Sequence, residues 1–470
     1  TVFDVVKGFG ADSTGAGDAT AAIQAAIDAA GAAGGGVVDF PEGLWRLDGL
    51  LTVEASHVVL RGRGAKTSRL HFTRADAMTG RSHVTFQGNL STEAEVGLAR
   101  DGRNRSVVVE VDDASALVVG DDVALGWVIT DDFVARHGME AYWKVFNGTW
   151  QPFFRRRVVA IDPTAKPKRV TLDVPLRYDA LVADRASLRV EKGYLEEVGV
   201  EGLGLANAVD WDAAWSNDRV HVLAFSGVKD GWILDVASFA SPTAPAQGHG
   251  QGTHLQSGGI LVRTSKRVTV ARCRMEKAEN RGGGGNGYLF EIMQSNEILT
   301  RDSTARDGRH DFIQNWGFGT TGCVWLRCQS AGGFAAVSSA LPGIGQTAYC
   351  EFHHSLAMAN LIDTCLLDDG WSALNRRTWS SGAGHTATAC VFWNTGGKGV
   401  LRSYQVGWGY VIGTAPTLTV NDSPGPGGDE GTAPADWLEG LGRAATLTHR
   451  SLYVAQYRTR TGGLPEGASP

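Results

Sequence analysis

The chain has 470 residues, 43% of them hydrophobic, with a net charge of −6 and a sequence pI near 6.1. The acidic balance argues against a nucleic-acid-binding protein that works through bulk positive charge, and no apolar run approaches the ~18 residues of a membrane span. Glycine is abundant at 62 residues and proline scarce at 14, which favours short strands joined by tight turns over a disordered chain.

The first predicted element is a helix that begins after Asp18, which stands in the N-cap position. Four apolar residues recur at the spacing of one helix face: Ile23, Ala26, Ile27 and Ala30. The glycine run at 34–36 ends this helix, and residues 37–40 have the composition of a strand. One amphipathic helix before a long β region is expected to cover the open end of a β-coil, whose edge would otherwise invite aggregation.

This opening segment resembles that of the pectate-lyase-like superfamily of right-handed parallel β-helices. The resemblance rests on Phe9-Gly10-Ala11-Asp12, on the helix from Asp18 to Ile27, on the glycine run, and on Phe40-Pro41 before Gly43. It implies an all-β fold, a single-stranded right-handed parallel β-helix with an N-terminal capping helix. It does not choose a function, because hydrolases, lyases, epimerases and phage tailspikes share this opening.

The pattern of short strands is interrupted between residues 85 and 195, where longer hairpin-like runs predict an inserted β subdomain. Its aromatic residues favour ordinary packing over sugar stacking. We therefore predict four segments: the cap and first coils at 1–84, the insertion at 85–195, the main coils at 196–413, and a C-terminal loop and cap at 414–470. Within the last segment, residues 421–435 are predicted to be an exposed loop.

The cysteines all fall in the central third of the chain: Cys273, Cys323, Cys328, Cys350, Cys365 and Cys390. Their spacing matches no zinc motif and they are too sparse for a disulfide scaffold, so we predict buried cysteines inside the coils. Ser303 precedes Cys328 by 25 residues, as Cys365 precedes Cys390, which is typical of one β-helix coil with a variable loop.

The densest group of chemistry-bearing residues follows a predicted strand near residue 300. Arg309, His310 and Asp311 are consecutive, and a second run follows them: Gln314, Asn315 and Trp316. Arginine supplies fixed positive charge, histidine transfers protons near neutral pH, and a carboxylate can orient a histidine. Because adjacent residues of a strand point to opposite faces, at most two of the three consecutive residues are expected to share a face.

A second polar group is expected on the next coils, beside the first. Its members are His353, His354, Asn375, Arg376 and His385. Tryptophans in the same region are predicted stacking platforms for sugar rings: Trp316, Trp371, Trp379, Trp393 and Trp408. In a parallel β-helix successive coils lie about 4.8 Å apart, so residues one coil apart in sequence become neighbours.

Residues 305–455 also resemble a group of secreted bacterial β-helix proteins in the same superfamily, commonly labelled pectate-lyase-like. This resemblance implies a secreted protein whose signal peptide has been removed. It supplies no catalytic role for any residue, so none is carried over.

These observations favour an enzyme that cleaves glycosidic bonds of a polysaccharide, with β-elimination on a uronic-acid-containing glycan as the leading hypothesis. The alternative is a glycoside hydrolase that pairs Asp311 with Glu291, Asp368 or Asp369. A third hypothesis is a non-catalytic, tailspike-like glycan-binding protein. We predict no cofactor and no metal site, since no HxH or HxxxH pair is present, and either a monomer or a homo-oligomer such as a trimer.

Overall fold

A computed structural model describes residues 1–424, 436–465 and 467. The chain winds into a single-stranded right-handed parallel β-helix, as the sequence predicts. Three parallel sheets run along the coil, and we call them sheets A, B and C. Each strand pairs in parallel with its counterpart one coil further on; in sheet A, for example, Val37 pairs with Val59 and Val59 with Gly199.

Sheet A contains the strands Val2–Asp4, Gly36–Phe40, Val58–Gly62, Leu195–Glu196, Gly199–Glu201, Val228–Leu234, Lys266–Ala271, Leu299–Arg301, Val324–Leu326, Leu361–Asp363, Val391–Thr395, Tyr410–Thr414 and Trp437–Glu439. Sheet B contains Gly43–Leu47, Ser68–Phe72, Gly204–Ala206, Ala237–Ser238, Arg274–Glu276, Thr304–Arg306, Gln329–Ala331 and Leu366–Leu367. Sheet C contains Leu51–Val53, Ser82–Gln87, His221–Ser226, Gly258–Arg263, Tyr288–Met293, His310–Gln314, Cys350–Phe352, Trp371–Ala373, Val400–Ser403 and Thr419–Asn421.

The N-terminal helix, Thr20–Ala32, covers the first coil with the predicted face: Ile23, Ala26, Ile27 and Ala30 are buried. The predicted N-cap is wrong by one residue, because Ala19 occupies that position and makes no side-chain cap bond. Asp18 instead accepts hydrogen bonds from the Thr20 side chain and the Asp48 backbone, so it ties the helix start to the neighbouring coil.

The other helices are short. They are Asp131–Arg136, Trp211–Ser216 and Leu452–Thr461, with 3₁₀ turns at Lys144–Phe146, Val182–Asp184 and Ala444–Thr446. Two further strand pairs join loops, Phe334–Ala336 with Gly345–Thr347 and Ala357–Met358 with Ala387–Thr388. Among the described residues, no helix combines the length and apolar character needed to cross a membrane. Most of the predicted C-terminal loop, residues 425–435, lies outside the described residues.

An antiparallel sheet interrupts the coil between two of its early turns. Its strands, in spatial order, are Ser91–Gly97, Ser187–Lys192, Asp122–Val128, Trp150–Asp162, Lys168–Leu172 and Val108–Val111. We call this sheet with its connections the insertion. Its aromatic residues form a core of their own, which also contacts Phe318, Leu356 and Met358 of the coil. Packing, rather than sugar stacking, therefore accounts for most of these rings.

The interior of the coil is filled by stacked apolar side chains, and the six cysteines are among them. All six are buried and unpaired, which confirms the prediction. The 25-residue repeat is only partly right. Ser303 stands next to Cys328 in the register, since Thr304 pairs with Gln329. On the following coil, however, Thr395 rather than Cys390 stands next to Cys365, since Leu366 pairs with Gly396.

Candidate functional site

A cleft of about 890 Å³ opens on the outer face of sheet C. Its floor comes from the sheet C strands that contain Thr85, Ala224, Leu261 and Glu291. Its walls come from the loops at 283–285, 315–316 and 379–381. Alternation along each strand explains the lining, since Phe290 and Ile292 point into the core while Glu291 and Met293 face the cleft.

The cleft is positively charged. Four arginines line it, Arg81, Arg219, Arg263 and Arg309, and none pairs with a carboxylate in the described part of the chain. Arg263 Nε donates to Ser226 Oγ at 3.1 Å, and Arg309 Nη1 donates to the Gly282 carbonyl at 3.0 Å. These contacts aim the guanidinium groups without neutralising them, so the cleft favours an anionic ligand.

Glu291 is the sole carboxylate among the described lining residues. Its Oε2 lies 2.8 Å from His221 Nε2, and its Oε1 accepts a hydrogen bond from Asn315 Nδ2 at 2.8 Å. Gly258 makes the first contact possible: a Cβ there would stand 2.4 Å from His221 Cδ2, so the missing side chain lets the imidazole lie over the next coil. Glu291 is thus held between a histidine and an amide, with little freedom to reorient.

A compact group of three buried residues adjoins the cleft: His353 lines it, and His310 and Glu351 lie behind. His310 Nε2 lies 3.5 Å and His353 Nε2 3.9 Å from Glu351 Oε2. Arg376 Nε contacts the other carboxylate oxygen, Oε1, at 2.8 Å. Burial raises the pKa of Glu351, which Arg376 and Arg309 oppose, and burial holds the pKa values of both histidines well below their usual range.

Tyr288 and His354 complete the cleft at the level of this group. The Tyr288 ring contacts the rings of His310 and His353, at centroid distances of 5.3 and 6.2 Å, and burial raises the pKa of its hydroxyl, so the phenol is protonated at neutral pH. His354 lies under Trp316, with ring centroids 4.7 Å apart, and burial lowers its pKa to about 3. Trp316 has a φ of 42°, a left-handed backbone that a bulky residue rarely adopts and that is typical of ligand sites.

The structure brings together many of the residues that the sequence singled out. Those lining the cleft are Glu291, Arg309, Asn315, Trp316, His353, His354 and Trp379. His310 and Arg376 lie directly beneath them, in contact with Glu351. Residues one coil apart are neighbours here, as expected. His310, Tyr288 and Gly258, for example, occupy equivalent positions on neighbouring strands.

Asp311 does not belong to the cleft. Its carboxylate is fully buried on the opposite side of the strand, where it accepts hydrogen bonds from the backbone N–H groups of Gly308 and Ala331. Burial and the neighbouring Asp369 raise the pKa of Asp311 well above the usual range. The hydrolase pair of Asp311 with Glu291 is therefore not formed, because the strand separates the two side chains.

Several other predicted binding residues are also absent from the cleft lining. Trp371 is fully buried in the coil interior and Gln314 is buried with its amide on the His354 carbonyl, so neither faces a ligand. Trp393 lies on sheet A and donates to the His449 carbonyl. Asn375 and His385 form an isolated bridge under the insertion, where the His385 N–H donates to Met139 Sδ.

Sequence reasoning missed three kinds of residue. Glu351 precedes His353 by two positions, so alternation alone predicts that both face the same way. His221 and Tyr288 gave no signal, since each is separated by a coil from the groups it contacts. The arginines at 81, 219 and 263 are scattered over many residues of sequence, and only the register of sheet C brings them to one cleft. His310, Glu351 and His353 also form a set of possible metal ligands, which the sequence did not predict.

Comparison with known families supports the fold. The profile described as "Rhamnogalacturonase A/epimerase, pectate lyase-like" matches residues 3–119. The Pseudomonas phage phi297 tailspike gp61 has a similar structure, with a TM-score of 0.51 at 12% identity over 94% of this chain and 74% of that one. Together with the three parallel sheets and the capping helix, these matches support the resemblance of this chain to the pectate-lyase-like superfamily of parallel β-helix proteins.

Two curated relatives are mannuronan C5-epimerases of Azotobacter vinelandii. AlgE1 is 37% identical and AlgE2 38% identical over 115 residues. The match covers 23% of this chain and spans 8% and 12% of those proteins, so the chain corresponds to a small part of either relative. The family match at 3–119 ends well before Glu291, Arg309 and Glu351 in the chain.

Proposed function

We propose that this protein binds an acidic, uronate-containing polysaccharide in the sheet C cleft and cleaves it by β-elimination. The observation that carries the proposal is the set of four cleft arginines without a carboxylate partner in the described chain. An unneutralised guanidinium recognises a carboxylate through two parallel hydrogen bonds, and four of them along one cleft match the repeated charge of a polyuronate.

β-Elimination needs three functions: neutralisation of the sugar carboxylate, removal of the C5 proton, and protonation of the leaving O4. We assign Arg309 to the first function; its guanidinium is half-buried and donates to the Gly282 carbonyl. We assign Glu291 to the second, because its carboxylate is held between His221 and Asn315, 2.8 Å from each. We assign Tyr288 to the third, because burial raises the pKa of its hydroxyl and the phenol stays protonated at neutral pH.

Epimerisation at C5 is the second candidate reaction, because the curated relatives are named for it. It begins with the same proton removal, after which a proton returns to the other face and the O4 bond stays intact. Hydrolysis is supported less well, since Glu291 has no second carboxylate beside it among the described lining residues. A tailspike-like protein that binds glycan without reacting is the remaining alternative.

One assay on polymannuronate, polygalacturonate and a neutral glucan separates these reactions. β-Elimination gives a new ultraviolet absorbance and new reducing ends, and no ¹⁸O from labelled water enters the cleaved bond. Epimerisation in deuterated water places deuterium at C5 without shortening the chain, and hydrolysis brings ¹⁸O into new reducing ends without the absorbance. Cleavage of the neutral glucan alone, or deuterium or ¹⁸O without ultraviolet absorbance, would overturn the lyase proposal. Binding without any of these changes would leave a glycan-binding protein.

The role proposed for the cleft arginines leads to a prediction about catalytic activity. Arg309→Ala is expected to cut turnover of the polyuronate by about a hundredfold or more, the scale of one lost charge-stabilising group. Arg306→Ala is the control, because Arg306 is exposed on sheet B, away from the cleft. Equal rates for both variants and the wild-type protein, with unchanged circular dichroism, would contradict the assignment of Arg309.

A further inference from the structure

We propose that His310, Glu351 and His353 form a binding site for a divalent transition-metal cation of the zinc class. One donor atom from each residue lies within 4.8 Å of the other two. The histidine atoms paired with Glu351 Oε2 are the Nε2 nitrogens. Zinc–ligand bonds of about 2.0–2.2 Å in tetrahedral geometry place donors about 3.3–3.6 Å apart. The two measured separations to Glu351, 3.5 and 3.9 Å, are close to this spacing, so a small side-chain shift closes the site.

Backbone carbonyls fix the protonation of the histidines. His310 Nδ1 lies 2.6 Å from the Tyr349 carbonyl, so this nitrogen carries the hydrogen and Nε2 keeps its lone pair. His354 Nε2 lies 3.2 Å from the Ser381 carbonyl, and a backbone carbonyl only accepts, so His354 Nδ1 is an acceptor. His353 Nδ1, 2.5 Å from His354 Nδ1, must then donate, which leaves the lone pair of His353 on Nε2. Asn315 Oδ1, 3.1 Å from His354 Nδ1, receives no hydrogen in this arrangement, because the Asn315 Nδ2 group stays on Glu291 Oε1.

Three lone pairs therefore converge on one buried point. His310 Nε2 and Glu351 Oε2 are buried and have no hydrogen-bond partner among the described residues. Facing acceptors without a hydrogen between them repel each other, and a buried polar group without a partner is destabilising. A cation at this point would convert the repulsion into three bonds.

Some groups around these three residues favour metal binding, and others oppose it. Ligating histidines usually donate their other N–H to a carbonyl, and His310 does so; Arg376 likewise holds the second oxygen of Glu351. The guanidinium groups of Arg376 and Arg309 oppose a second positive charge nearby. An anionic fourth ligand would offset them, and His353, which lines the cleft, connects the site to it.

The test uses the full chain, dialysed against a chelator and then titrated with Zn²⁺ alone. We expect one tightly bound Zn²⁺ per chain by calorimetry. X-ray absorption is expected to show two imidazole nitrogens and a carboxylate oxygen, and this measurement needs no variant. His310→Ala and Glu351→Gln are expected to weaken binding by at least a hundredfold, and His354→Gln by about ten- to a hundredfold, because it loses only the orienting contact.

His449→Gln is the matched control, because His449 is exposed and remote from the cleft. No Zn²⁺ bound below millimolar concentration would overturn the site. So would equal binding by the His310 and Glu351 variants, or a spectrum with a different ligand set. The titration contains no glycan, so its failure is distinguishable from failure of the proposed function.

Discussion

At the scale of single residues, burial decides the protonation of the histidines. His71, His83 and His254 are all buried, and burial lowers the pKa of each to about 4. His83 is the clearest case: it is fully buried, its Nε2–H donates to the Arg74 carbonyl, and its Nδ1 accepts from Asn207. A neutral imidazole satisfies both contacts, whereas a charged one would lose the second.

This arrangement makes stability depend on pH. A histidine with a folded pKa of about 4 and an unfolded pKa of 6.5 binds its proton first in the unfolded chain. The unfolded state is therefore favoured progressively as the pH falls from 6.5 toward 4, by about 2 kcal/mol per such group at pH 5.

His83→Gln is thus expected to reduce the loss of unfolding free energy between pH 7 and pH 5 by about 2 kcal/mol, since glutamine has no proton to gain. Denaturant titrations at both pH values measure it. His449→Gln, at an exposed position, is the control. A slope that is the same in His83→Gln and the wild-type protein would show that His83 is not the source.

At the scale of elements, the capping helix Thr20–Ala32 protects the end of the coil. Its buried face packs on the first strands, and Gln24 exchanges two hydrogen bonds with the backbone of Thr52, at 2.9 and 3.0 Å. The helix thereby covers the first coil, which has no preceding coil to pack against.

Ile27→Asp is expected to destabilise the protein by about 4 kcal/mol or more, because it places an unpaired charge against this first coil. Ala25→Asp puts the same residue on the exposed side of the helix and is expected to have little effect. Thermal melts followed by circular dichroism compare the two. Equal melting temperatures for both variants would mean that the helix contributes no cap.

At the scale of the whole molecule, the insertion and the coil form one packed unit. Lys266 of sheet A is buried against Asp122 of the insertion at 2.7 Å, and Arg177 pairs with Glu297 of the coil at 2.6 Å. Phe318, which follows the cleft residue Trp316, packs among the insertion rings of Trp143 and Phe153. The insertion therefore supports one wall of the cleft.

Phe318→Ala is expected to cost about 3–5 kcal/mol of unfolding free energy, the usual range for a buried phenylalanine. A single transition should remain, because the insertion core includes residues of the coil. Val337→Ala, at an exposed position, is the control. Two separate transitions in a calorimetric scan of the wild-type protein would contradict this coupling.

The sequence alone determined the fold class and the capping helix, because hydrophobic spacing over neighbouring residues is a local property. It also marked Arg309, His353, His354 and Trp316, since chemistry-bearing residues are dense in that part of the chain. Local alternation predicted that Arg309, His310 and Asp311 would not all share a face, but not which side each takes.

Only the tertiary structure decided what the site contains. Loops of unequal length set the register between coils, so the partners of Glu291, which are His221 and Asn315, were not readable from spacing. The register also brought Glu351 to His310, whereas Asp311 and Trp371 are excluded from the cleft because their side chains lie on the inner side of their strands. In a β-helix, the residue pattern within one strand determines which side chains face outward. The register between strands depends instead on the lengths of the loops that join them, and a site assembled from several coils depends on that register.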